Sequence, residues 1–282
     1  MSSQTTSQAP VSLTSAGSLL PQRFTWLLQA ELKKYLSLTA IRVLLLLGFV
    51  LTIATSTITA WAIKALADGS ENISQTSIAE TVAVAPTAGV ELGSVFLVIA
   101  AILAITTEYT HGSINFTNTL APKRGQTLLA KTTVGFLIAF ATAALACLIS
   151  LGITALIVGS NYDRTILNPE LWGSVAAAAL AAGLLSVFGT GMGYLTRSGA
   201  GSIFSFMGLM WGVPIVLASA SLMGIAWAEK LAAYFPGALL TAARSTTNTD
   251  PGTLQYPLVA LLVLAAWSAA SLALGNLRAR QV

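Results

Sequence analysis

Residues 43–64 read VLLLLGFVLTIATSTITAWAIK, and only the last of them, Lys64, carries a charge. A helix rises 1.5 Å per residue, so a stretch of about 20 apolar residues covers the roughly 30 Å hydrocarbon core of a bilayer. Five more blocks share this character, at about 89–107, 131–158, 171–195, 202–226 and 257–277. The second, which ends VFLVIAAILAITT, is the weakest, because Glu91 near its start places that end at the interface. The expected fold is therefore all-α: a polytopic membrane protein with six transmembrane helices.

Composition agrees. The chain has 282 residues, 55% hydrophobic and 9% charged, with mean hydropathy +0.78. Soluble domains carry about 25% charged residues, so this chain cannot build a water-facing surface all round. The single cysteine, Cys147, lies inside an apolar block. That excludes an internal disulfide and a cysteine metal cluster, and it reads as a small buried residue. The net charge of +4 speaks to membrane topology, and no nucleic-acid partner is expected.

Residues 1–22 carry no charge and are rich in Ser, Thr and Gln. No basic segment precedes an apolar core, so a disordered tail rather than a signal peptide is expected here. In RFTWLLQAELKKYLSL, 23–38, Phe24, Leu28, Leu32, Tyr35 and Leu36 follow helical spacing, while Gln29 and Lys33 fall opposite. Glu31 breaks the apolar arc. An amphipathic helix lying in the inner interface is expected over 23–39, followed by the six-helix membrane domain over 40–282.

Six spans bring both termini to one side. Placing the termini, 106–131 and 196–201 in the cytoplasm puts ten basic residues there: Arg23, Lys33, Lys34, Arg42, Lys123, Arg124, Lys131, Arg197, Arg278 and Arg280. Four remain outside, Lys64, Arg164, Lys230 and Arg244. The positive-inside rule selects this orientation. Trp61, Trp172, Trp227 and Tyr256 on one side, and Trp26, Tyr35, Tyr109 and Tyr194 on the other, suit interfacial belts. Between spans five and six, AEKLAAYFPGALLTAAR, 228–244, is too apolar for a free loop and too short to cross. It is expected to be re-entrant or interfacial, broken in its middle by Pro236-Gly237.

Polar and small residues inside the spans raise site questions. Thr52, Thr55, Ser56 and Thr59 share one helical face. A hydroxyl stripe in lipid either bonds to a neighbouring helix or to its own backbone, or lines a polar passage. GTGMGY, 189–194, resembles a phosphate loop only superficially, since it lies within an apolar helix with no strand before it. Gly189 and Gly193, like Gly208 and Gly212, are four apart and suit close helix packing. No block carries an ionisable group at its centre, where ion-driven transport needs one. There is no Gly-x-x-x-x-Gly-Lys-Ser/Thr loop, so ATP hydrolysis by that route is not expected of this chain. The lone histidine, His111, supplies neither a metal site nor a nucleophile–base pair, and reads as a polar loop residue.

That histidine belongs to TTEYTHGSINFTNTLAPKRGQ, 106–126, which joins spans two and three. Ile114, Phe116 and Leu120 stand among polar residues, Pro122 would end a short helix across the membrane face, and Lys123 and Arg124 follow at head-group level. EYTHGSI at 108–114, followed by NTLAPKRGQTLLAKT at 118–132, resembles the permease family of type-2 ATP-binding cassette transporters. Those proteins typically show Glu-Tyr-x-x-Gly-Ser/Thr-Ile/Leu, then Pro-x-Arg, then Leu-x-x-Lys leading into span three. The matching residues are Glu108, Tyr109, Gly112, Ser113, Ile114, Pro122, Arg124, Leu128 and Lys131.

The resemblance implies a permease half that pairs with a second, identical or related chain in the lipid bilayer. ATP and Mg would be bound by a separate ATP-binding cassette subunit, and this chain would bind no cofactor. The 108–124 segment would be the coupling helix, with Glu108, Tyr109, His111, Gly112, Ile114, Phe116 and Leu120 facing that subunit. Export of a hydrophobic or amphipathic compound is the expected function. A self-sufficient transporter or channel would work on an ion gradient alone, and a membrane sensor or immunity protein would bind without transporting.

Overall fold

The computed structural model describes residues 24–69, 83–110, 124–159, 169–245 and 256–280. Among them there is no strand. Helix α1 is Phe24–Ser37, α2 Thr39–Gly69, α3 Val90–Thr110, α4 Arg124–Val158, α5 Pro169–Thr196, α6 Gly199–Met207, α7 Val213–Leu222, α8 Ala226–Ala232, α9 Pro236–Ala243 and α10 Pro257–Arg280. Six stretches are long and apolar enough to span a membrane: Thr39–Leu66, Ala83–Thr110, Gly125–Val158, Pro169–Thr196, Gly199–Leu222 and Pro257–Arg278. The protein is an all-α, polytopic membrane protein.

Most spans are longer than their apolar blocks, because backbone hydrogen bonding continues the helix through polar flanks. Span two starts at Ala83, not 89, and is among the most apolar of the six; Glu91 does not weaken it. Span three begins at Gly125, so its first turns hold Gln126 and Thr127. Span five ends earlier than the apolar run suggested, because Gly224 (φ 90°) turns the chain after Leu222. Glycine adopts that left-handed conformation without the Cβ penalty.

Spans two and four form the middle of the bundle, with 61% and 67% of their apolar windows buried, against 17% for span five. Lipid tails are as apolar as leucine, so helices in a bilayer associate by close packing rather than by the hydrophobic effect. Glycines in α5 permit that packing on several faces. A Cβ at Gly189 would lie 2.6 Å from Val98 Cγ1, and one at Gly193 would lie 3.2 Å from Ile105 Cβ, so this pair seats α3. A Cβ at Gly191 would reach the backbone of Ser271 and Leu272 at 2.6 and 2.7 Å, which seats α10. Gly183 faces the Phe136 ring of α4.

Gly208 and Gly212 behave differently from their sequence reading. Among the described residues a Cβ at 208 would meet nothing within 4 Å, and at 212 only the Met207 carbonyl oxygen at 4.0 Å. They flank a π-helical turn, Gly208–Gly212. Its cause is two residues on. Pro214 has no N–H to give the Met210 carbonyl, and its ring crowds that carbonyl, so the regular ladder is interrupted. Gly237 of α9 comes up against the freed Met210 oxygen, where any side chain would clash.

The 228–244 segment is two short helices, and the break falls at 233–235 rather than at Pro236-Gly237. Pro236 instead opens α9, where a missing N–H costs nothing. Trp267 of α10 holds the break, donating Nε1–H to the Tyr234 carbonyl at 2.8 Å and packing on Phe235 and Phe188. Pro236, Gly237, Leu239, Leu240 and Ala243 are buried, so protein covers this short helix. Tyr35 and Tyr194 are also buried, each 7% exposed. They pack inside the protein, in place of the interfacial role expected of them, whereas Trp26, Trp61, Trp172 and Trp227 are exposed.

The hydroxyl stripe of α2 divides. Thr52 and Ser56 are buried. Thr52 donates to the Gly48 carbonyl at 2.8 Å. Ser56 donates to the Pro86 carbonyl at 3.2 Å and accepts from the Gly89 N–H at 3.0 Å, so it staples α2 to the turn before α3. Thr55 and Thr59 are half-buried, and Thr59 bonds to the Thr55 carbonyl of its own helix. Gly48 and Gly93 complete this contact: a Cβ on Gly48 would lie 2.9 Å from the Gly93 carbonyl oxygen, and one on Gly93 2.7 Å from that of Gly48.

Candidate functional site

Four charged side chains from three helices meet where spans two and three reach the basic end of the bundle. α1 supplies Glu31 and Lys34, one helical turn apart and therefore on one face. α3 supplies Glu108 just before its end, and α4 supplies Lys131 in its second turn. The Glu108 carboxylate pairs with both Lys34 and Lys131, and Lys131 also reaches Glu31 at 2.9 Å. The Glu108 and Lys131 side chains are 4% exposed, Glu31 is 16% and Lys34 38%.

Signs alternate along this chain of contacts, so each buried charge faces an opposite one and the cluster is neutral as a whole. Neutrality matters here. Desolvating a single ion costs several kcal/mol after relaxation, and only a partner with good geometry offsets that. Ionisable groups within membrane spans are rare for this reason and mark function more often than packing.

The cluster accounts for the imperfect amphipathic pattern of α1. Glu31 interrupts the apolar arc because the same face that packs Leu28 and Tyr35 against the bundle must also reach Lys131. Burial pushes the Tyr35 phenol above its ordinary range, so it stays neutral beside these charges. Leu32 and Leu36, on the edge of the arc, are exposed, as are Phe24 and Trp26.

Tyr109, the next residue of α3, makes a separate contact. Its ring packs edge-on to Tyr194 at 6.2 Å, and the Arg197 guanidinium lies over it at 5.9 Å from the centroid. Glu108 and Tyr109 are thus both anchored, through different neighbours. His111, Gly112, Ile114, Phe116 and Leu120 lie outside the described residues, as do Ser113, Pro122 and Lys123.

The opposite end of the bundle carries a smaller polar contact. Glu91 accepts from Trp211 Nε1 at 3.4 Å and lies 3.7 Å from Arg244 Nη2. It joins the start of α3 to the π turn and to the end of α9. Burial lowers the Arg244 pKa, and the Glu91 carboxylate opposes that shift.

Sequence reasoning singled out Glu108 without its partners. Two signals pointed to them: the misplaced Glu31 in an apolar arc, and Lys131 within the Leu-x-x-Lys pattern. Among the described residues no three His, Cys, Asp or Glu side chains converge as a metal site. The chain matches no protein-family model and no curated protein.

Proposed function

We propose that the chain is the membrane-spanning permease subunit of an ATP-binding cassette exporter. ATP and Mg bind on a separate subunit that docks from the cytoplasm onto the 108–124 segment. A second permease chain completes the passage, both termini are cytoplasmic, and the cargo is a hydrophobic or amphipathic compound. The observation that carries the reading is the pairing of Glu108 with Lys131. These residues begin and end the pattern resembling type-2 permeases, and their ion pair holds the two ends of the intervening segment together. α1 joins the same cluster, so the segment, the N-terminal helix and two spans share one mechanical base.

The test is substrate-stimulated ATPase activity of the reconstituted complex, measured with pull-down yield of the ATP-binding subunit. A buried aromatic anchor at an interface commonly contributes more than about 2 kcal/mol. Phe116→Ala should therefore lower the yield or uncouple hydrolysis from transport while the chain still inserts. Glu108→Gln should act more mildly. If Phe116→Ala, Ile114→Ala and Glu108→Gln leave both quantities unchanged, the coupling role is wrong. Transport in liposomes on an ion gradient alone would favour a self-sufficient transporter instead.

A further inference from the structure

We propose that Arg197 is a positioning residue that ties the exit of span two to the end of span six, so that movement of the 108–124 segment reaches both. The inference rests on the coupling role proposed for that segment, and it adds a part that the segment's resemblance to other permeases does not contain.

Arg197 follows α5 directly and has φ 56°, the one described non-glycine residue with positive φ. That backbone conformation is unfavourable for any residue with a Cβ, and helices that end this way normally place glycine there. The Arg197 N–H closes the helix on the Gly193 carbonyl at 3.0 Å, which glycine would do equally well. An arginine here requires a reason in its side chain.

The side chain has two engagements on two other helices. Its guanidinium covers the Tyr109 ring of α3. Its Nη2 donates to the Arg278 carbonyl of α10 at 2.5 Å. Carbonyls in the last turn of a helix have no intrahelical donor, and the negative end of the helix dipole favours a cation. Only a planar guanidinium can stack on a ring and donate sideways at the same time, so lysine is not equivalent. Among the described residues the buried Nε atom has no partner, a cost that local capping alone would not demand. Tyr109 also packs on Tyr194 of α5 and directly follows Glu108, the centre of the charge cluster, along α3. Three helix ends thus converge on one side chain, next to the segment expected to receive motion.

The experiment uses spin labels on cysteines placed at Thr110 and Leu277 of a Cys147→Ala chain in nanodiscs, with the distance distribution read by pulsed electron resonance. The wild-type chain should give one narrow distribution. Arg197→Gln and Tyr109→Leu should broaden it, Arg197→Lys should do so although it keeps the charge, and Arg42→Gln should not. Monodispersity on gel filtration shows whether each variant is folded, and Arg197→Lys keeps the test open if Arg197→Gln is not. In the reconstituted complex, Arg197→Lys should lower transport per ATP hydrolysed about tenfold, within the usual range of coupling energies, with hydrolysis retained. Unchanged distributions in Arg197→Lys and Tyr109→Leu overturn the tie. Broadened distributions with an unchanged transport-to-hydrolysis ratio overturn the relay. A wild-type chain that stimulates no ATPase overturns the coupling reading itself, an outcome the distance measurement distinguishes from loss of the tie.

Discussion

Glu108 and Lys131 lie 23 positions apart, on different spans, and form a buried ion pair with each side chain 4% exposed. The pair closes the stretch of chain between spans two and three at its base. Lys34 adds a second cation to Glu108, and Glu31 a second anion to Lys131.

Removing one member of a buried pair leaves an uncompensated charge, which typically costs about 3 kcal/mol or more. Lys131→Met and Glu108→Ala should each lower the thermal unfolding midpoint in detergent clearly. Lys34→Met should have a smaller effect, because its side chain is 38% exposed and solvent screens it. The exchange Glu108→Lys with Lys131→Glu reverses both signs next to Lys34 and Glu31, so it should recover little. Full recovery by the exchange would show that the two α1 charges do not take part.

Gly191 faces the backbone of α10, which cannot move aside as a side-chain tip could. Gly191→Ala should reduce folded yield sharply, since overpacking a tight contact costs about 1–3 kcal/mol. Gly212→Ala should be tolerated in the monomer, where a Cβ meets only its own helix at 4.0 Å. Gel-filtration profiles of both variants check this, and equal profiles would mean that α5 and α10 are not in contact as described.

Ser56 makes two bonds to the chain around Gly89, so Ser56→Ala should cost about 1–3 kcal/mol for the N–H left without its acceptor. Ser56→Leu should cost more, by forcing α2 from α3. Thr55→Leu, at a half-buried position, should be milder. Unfolding midpoints of the three variants give the comparison; the order Thr55→Leu worse than Ser56→Leu would refute it.

The proposed orientation predicts labelling. In a Cys147→Ala chain, single cysteines at Ser74, Asn161 and Thr247 should react with an impermeant maleimide in intact cells. Cysteines at Ser113 and Ser198 should react only after permeabilisation. Labelling of Ser113 from outside would invert the topology.

The all-α class and the number of spans were legible in the sequence, because partition into lipid depends on composition summed over about 20 neighbouring residues. The bias of basic residues toward one end was legible for the same reason, as a sum along the chain. Contacts between spans were not. Nothing in the order of residues states that Glu31 and Lys34 face Glu108 and Lys131, since a meeting across 74 or 100 positions depends on how each helix is rotated and how closely the helices approach. Glycine spacing of four predicted close packing equally at Gly189–Gly193 and Gly208–Gly212, and among the described residues only the first pair meets another helix. The difference lies in Pro214, which interrupts the helical ladder of span five, and in burial: 67% of the apolar window of span four is buried against 17% for span five. Local composition determined that the chain enters the membrane; azimuth, depth and neighbouring backbone, which exist only in the folded bundle, determined which polar and small residues do work there.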